Sequence, residues 1–86
     1  MTEIFIIDDE ESIAEMLAEV VTLSGFLANI YTDGILFFQE NKFNDNSIII
    51  LDLNMPTMDG IEVIRELSNN KCKASLILMS GYDNSV

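Results

Sequence analysis

Residues 48 to 60 constrain this chain more than any other stretch. Ile48, Ile49, Ile50 and Leu51 are consecutive apolar residues, Asp52 follows them, and Pro56 and Gly60 interrupt what comes next. A short apolar run bounded by turn residues reads as a strand buried on both faces. Pro56 has a fixed φ and no N–H to give to a ladder, so the strand must end before it. Asp52 is thereby delivered to the carboxyl end of a buried strand. In open α/β sheets that edge is where ligands bind.

Two other runs repeat the pattern. Ile4-Phe5-Ile6-Ile7 is ended by Asp8-Asp9-Glu10-Glu11, and Leu76-Ile77-Leu78-Met79 by Ser80-Gly81. Between the runs the apolar period becomes helical. Ile13, Met16, Leu17, Val20 and Val21 make one stripe, Glu11, Glu15 and Glu19 lie opposite, and Gly25 is a natural stop. Ile61, Val63, Ile64 and Leu67 make a second stripe, with Glu62, Arg65 and Glu66 outward. The mixed segment Leu27 to Tyr31 predicts an edge strand. Thr32 or Asp33 can cap a short helix through Glu40, and residues 41 to 46 are polar loop. Strands alternating with helices predict right-handed βαβ units and an open parallel sheet in a single α/β domain spanning residues 1 to 86.

Charge narrows the function. Fifteen acidic and four basic residues give a net charge of −11 over 86 residues. Phosphate neutralisation needs clustered Lys and Arg, so a nucleic-acid surface is not expected. An acidic excess suits a bound cation or a positively charged partner. Cys72 is the one cysteine and lies between two lysines, which excludes an internal disulfide and reads as a surface thiol in a reducing compartment. The N-terminus does not resemble a signal peptide, and no apolar run approaches the roughly 20 residues that span a bilayer. A cytoplasmic chain without membrane contact is expected.

In a parallel sheet the ends of the three strong strands share one edge, so Asp8, Asp9, Asp52 and Ser80 can converge. If the first and third strands are neighbours, the crevice between them is the topological switch point. Carboxylates gathered there repel one another and are costly to desolvate. A hard divalent cation resolves this, and oxygen ligands suit Mg²⁺ or Mn²⁺; with no His, a zinc site is not expected. A carboxylate can also attack phosphorus to give an aspartyl phosphate, while a hydroxyl such as that of Ser80 donates to a phosphoryl oxygen. The loop after Asp52 can aim backbone N–H groups at the same anion.

The nine residues from Asp52 to Gly60, with Asp8-Asp9-Glu10 upstream and Ser80-Gly81-Tyr82 downstream, resemble the receiver domain of two-component response regulators. The resemblance implies an open, doubly wound, flavodoxin-like parallel sheet. It implies Asp52 as phosphoacceptor and Asp9, Asp52 and the backbone carbonyl of Asn54 as Mg²⁺ ligands, with Asp8 either a further ligand or a group supporting them from behind, and Ser80 as the switch hydroxyl. The partner it implies is a sensor histidine kinase or phosphotransfer protein. Such a domain is not an enzyme beyond catalysing its own phosphorylation and dephosphorylation. Receivers have five βα units with a lysine at the end of the fifth strand, so these residues are expected to correspond to about the first two-thirds of one. An uncovered fourth strand would then favour a homodimer or a segment swap over residues 76 to 79.

A Mg²⁺-dependent phosphohydrolase with an aspartyl nucleophile on a Rossmann-like sheet is the rival reading. That class carries a second acid two residues after the nucleophile, where this chain has Asn54, whose amide cannot act as a general acid or base.

Overall fold

The computed structural model describes residues 2–53 and 60–79. Its elements are β1 (Glu3–Ile7), α1 (Glu11–Leu23), β2 (Leu27–Tyr31), α2 (Gly34–Glu40), β3 (Ile48–Asp52), α3 (Gly60–Asn69) and β4 (Ser75–Met79). The strands form one parallel sheet in the order β2-β1-β3-β4. The chain thus winds outward from β1 to β2, then crosses back to β3 on the other side. The switch point falls between β1 and β3, as the sequence predicts.

Position in the sheet explains burial. β1 and β3 are central, and Phe5, Ile6, Ile7, Ile49 and Leu51 are essentially inaccessible to solvent. Burying each such side chain contributes about 1.5–3 kcal/mol. Phe5, Ile7, Ile49 and Leu51 meet Tyr31, Phe37, Val63 and Leu67 on the side covered by α2 and α3. Ile4, Ile6 and Ile50 meet Ala14 and Val21 of α1 on the other. The first side is strongly aromatic. Phe37 stacks on Phe43 with ring centroids 4.7 Å apart and stands edge-on to Phe5, Tyr31 and Phe38.

Local chemistry sets the ends of the helices. The Asp33 carboxylate accepts the Ile35 N–H at 2.7 Å, so Asp33 caps α2. α2 ends at Asn41, whose left-handed φ of 52° is the conformation that an asparagine tolerates. Gly25, at φ 94°, turns the chain from α1 into β2.

Three details depart from the periodic reading. The face of α1 that packs on the sheet is Ala14, Leu17, Ala18 and Val21, while Met16 and Val20 are more than half exposed. Small alanines let the helix lie close to the strands, so the packing face is offset from the stripe of large residues. In α3, Ile61 is likewise exposed, and Val63 and Leu67 carry the packing. Cys72 is half-buried against the aromatic side, with its thiol facing the Asn44 carbonyl oxygen at 3.9 Å.

β4 follows the sequence reading. It pairs with β3 along its length, yet Leu76, Ile77 and Leu78 stay 37%, 51% and 50% exposed.

Candidate functional site

Two ladder extensions build the site at the carboxyl edge of the sheet. Asp8 lies just past β1, and its N–H donates to the Tyr31 carbonyl at 3.0 Å. Asp52 closes β3, and the next residue, Leu53, donates its N–H to the Met79 carbonyl at 3.0 Å. Ile6 pairs with Ile50, so positions 8 and 52, each two residues further on, emerge on the same side of the pleat. Both side chains are buried, whereas Asp9 is exposed beside them. One carboxylate oxygen from each of Asp8, Asp9 and Asp52 lies within 4.8 Å of the other two.

The electrostatics follow from that crowding. Burial pushes the Asp8 carboxyl above the usual aspartate value, partly offset by the Glu10 N–H that its Oδ1 accepts at 2.9 Å. The negative charges of Asp52 and Asp9 raise it further, and Asp8 and Asp52 also share a side-chain hydrogen bond. Three of the four basic residues lie elsewhere: Lys42, Lys71 and Lys73 occupy segments that lead into β3 and β4 at the opposite sheet edge. An all-oxygen set of three converging carboxylates, two of them buried, fits a hard divalent cation.

Gly60 holds the returning chain close to this edge. Its N–H donates to the Leu53 carbonyl at 3.2 Å. A Cβ at position 60 would sit 2.5 Å from Leu53 Cδ2 and 2.6 Å from Leu53 Cα. The start of α3 is therefore pressed directly against the residue that follows Asp52.

Of the residues expected from sequence, Asp8, Asp9 and Asp52 come together as anticipated. Asn54 and Ser80 lie outside the described residues. Sequence reasoning did not anticipate the Glu10 N–H and the Tyr31 carbonyl that fix Asp8. Both are backbone groups, so residue identity carries no signal for them.

The sequence profile of the response regulator receiver domain matches residues 4–86. The chain belongs to this family. The Transcriptional regulatory protein FixJ of Rhizobium meliloti is 30% identical over 79 residues, covering 92% of this chain and 39% of that protein. Sensory transduction protein RegX3 of Mycobacterium tuberculosis is 33% identical over 86 residues, covering the whole chain and 37% of the relative. The receiver thus spans about two fifths of the length of these curated relatives. A response regulator from Colwellia psychrerythraea superposes with a TM-score of 0.79 at 42% identity, over 99% of this chain and 67% of that one. TrrA of Thermotoga maritima, solved in complex with Mg²⁺-BeF, superposes with a TM-score of 0.80 at 31% identity, over 96% and 72%.

The receiver is therefore a signalling domain of the two-component response regulator type, and the hydrolase alternative is not favoured. Receivers as a family bind Mg²⁺ and interact with histidine kinases. Among the described residues, no helix is long and apolar enough to cross a membrane.

Proposed function

We propose that residues 1 to 86 work as one receiver unit in which Asp52 accepts a phosphoryl group from a sensor histidine kinase or phosphotransfer protein. The observation that carries this reading is the cluster of Asp8, Asp9 and Asp52 at the switch point, with Asp52 ending the central strand β3. A carboxylate oxygen of Asp52 attacks phosphorus, an O–P bond forms, and the N–P bond to the donor imidazole breaks. Water later hydrolyses the acyl phosphate.

Asp8, Asp9, Asp52 and the backbone carbonyl of Asn54 would hold Mg²⁺, with Mn²⁺ as an alternative ion. Charge neutralisation at the phosphoryl oxygens is the chemistry that ion supplies when bound. The Ser80 hydroxyl donates to one phosphoryl oxygen in this scheme. Apart from its own phosphorylation and dephosphorylation the receiver turns over no substrate. The reading includes a cytoplasmic setting, supported by a single cysteine with no disulfide partner.

Incubation with acetyl phosphate and Mg²⁺, followed by intact mass, tests the assignment. One phosphoryl adduct on the wild type and none on Asp52→Asn is expected. No adduct on the wild type, or an equal adduct on Asp52→Asn, would overturn it.

The exposed apolar β4 supports a second reading, a homodimer or segment swap that covers residues 76–79. With a net charge of −11 per copy, association should strengthen with salt. Sedimentation that finds only monomer at high protein and salt concentration rejects it.

A further inference from the structure

The Asp8 side of the acid cluster leans on a strand with little to hold it. Among the described strands β2 pairs with β1 alone, in the register that sets Ile7 opposite Tyr31. Of its five residues only Tyr31 is buried, while Leu27 and Ile30 are 49% and 37% exposed. An edge strand with so few buried side chains opens locally at low cost unless something pins it. Yet the bond that closes this ladder, from the Asp8 N–H to the Tyr31 carbonyl at 3.0 Å, is what ties the Asp8 backbone to the sheet. The Glu10 N–H that Asp8 Oδ1 accepts at 2.9 Å belongs to the same turn, so it orients the carboxylate without anchoring the turn to β2.

The Tyr31 side chain supplies the pin. Its ring stacks on Phe5 of β1 with centroids 6.3 Å apart and meets Phe37 of α2 edge-on at 5.5 Å. Its hydroxyl donates to Glu40 Oε1 at 2.6 Å, a length typical of the stronger, charge-assisted bonds. Lys42 approaches the same oxygen at 3.5 Å. Glu40 is the last residue of α2, so one side chain joins the end of β2 to the far end of the helix that follows it. Ring packing and hydroxyl bond thus act on the very residue whose carbonyl holds Asp8.

We infer, on the reading of Asp8, Asp9 and Asp52 as a cation site, that Tyr31 is a positioning residue for that site: its buried ring and its bond to Glu40 fix the end of β2, and with it the carbonyl that holds Asp8 in the cluster. Tyr31 acts only through Asp8. Groups behind a metal ligand set affinity in this way, by sparing the ligand the cost of being ordered when the ion arrives.

Two measurements test this role: amide hydrogen exchange at Asp8 in the metal-free chain, and calorimetric titration with Mg²⁺. Tyr31→Leu removes both ring and hydroxyl, and Tyr31→Phe removes the hydroxyl alone. Leu67→Ala is the control, because it opens the same aromatic core from near the end of α3. Each variant is compared where circular dichroism shows the native fold. Tyr31→Leu should weaken Mg²⁺ binding about tenfold and speed Asp8 exchange about tenfold more than that of the slowest β1 amides. Tyr31→Phe keeps the ring, so both effects should shrink to about threefold, as loss of one hydrogen bond predicts; this variant carries the test if Tyr31→Leu does not fold. Leu67→Ala should lose stability but keep wild-type Mg²⁺ affinity. Wild-type affinity or wild-type Asp8 exchange in both tyrosine variants would overturn the role of Tyr31 alone. A loss in Leu67→Ala as large as in the tyrosine variants would do the same, since affinity would then merely follow stability. A wild type that binds no Mg²⁺ would overturn the cation site itself, and the role of Tyr31 with it.

Discussion

Replacing Gly60 by alanine should damage the stability and the metal affinity of the receiver together. The added methyl would lie 2.5 Å from Leu53 Cδ2 and 2.6 Å from Leu53 Cα. The side-chain carbon can swing away, but the Cα belongs to the backbone that follows Asp52. Overpacking of this kind costs about 1–3 kcal/mol. Alanine recovers up to about 1 kcal/mol of helix propensity, less at the first residue of α3 than in a helix interior. A net loss of about 1–2 kcal/mol follows, which lowers the urea midpoint by roughly 0.5–1 M at the slope of a small domain. Gly25→Ala is the matched control. Nothing lies within 4 Å of its added carbon, but its φ of 94° is strained for any side chain, at about 1–2 kcal/mol. Both variants should therefore lose similar stability in urea titration. Only Gly60→Ala moves the backbone beside Asp52, so calorimetric Mg²⁺ titration should show about tenfold weaker binding for it alone. A Gly60→Ala variant as stable as the wild type, or equal loss of metal affinity in both variants, would refute the argument.

Three further outcomes are expected. Burial and the hydrogen bond to Glu40, 2.6 Å long, raise the Tyr31 hydroxyl from 10.0 to about 12. A folded value above the unfolded one gives stability that is complete below pH 10.0 and lost as pH rises toward 12. Alkaline urea titrations should show that loss in the wild type, and Tyr31→Phe should abolish this component while costing about 0.5–1.5 kcal/mol at neutral pH. Asp8 also titrates above its ordinary value, chiefly through burial, so the metal-free fold loses stability as pH rises through that raised value. Asp8→Asn should accordingly stabilise the metal-free chain at neutral pH and weaken its calorimetric Mg²⁺ affinity; lower stability without metal would contradict the electrostatic account. Leu51→Ala, at the centre of the aromatic side, should cost about 2–5 kcal/mol in the same titration.

The strands were legible because central parallel strands must be apolar on both faces, and few other elements produce four such residues ended by a carboxylate. The helices were legible as helices, but the face they bury was not. Large apolar residues dominate a periodicity count, whereas the contact of α1 with the sheet is decided by Ala14 and Ala18, whose small side chains permit close approach. The meeting of Asp8, Asp9 and Asp52 was readable once β1 and β3 were taken as neighbours. What holds Asp8 in place was not, because the Tyr31 carbonyl and the Glu10 N–H belong to the backbone and arrive through pairing and turn geometry. The half-burial of Cys72 was equally hidden, since a thiol between two lysines looks exposed until β4 is paired beside β3.

The placement of β1 has a consequence for how the receiver comes into being. It is made before the other strands of this sheet, and both its neighbours, β2 and β3, come later, with β3 beginning only at residue 48. Parallel pairing has no hairpin shortcut, so every ladder in this sheet closes a long loop. During synthesis Ile4 to Ile7 must wait as a bare apolar segment, with Asp8 to Glu11 beside it as the charge that keeps nascent chains apart. The acidic residues that later gather at the sheet edge thus first serve as gatekeepers of an unfinished strand.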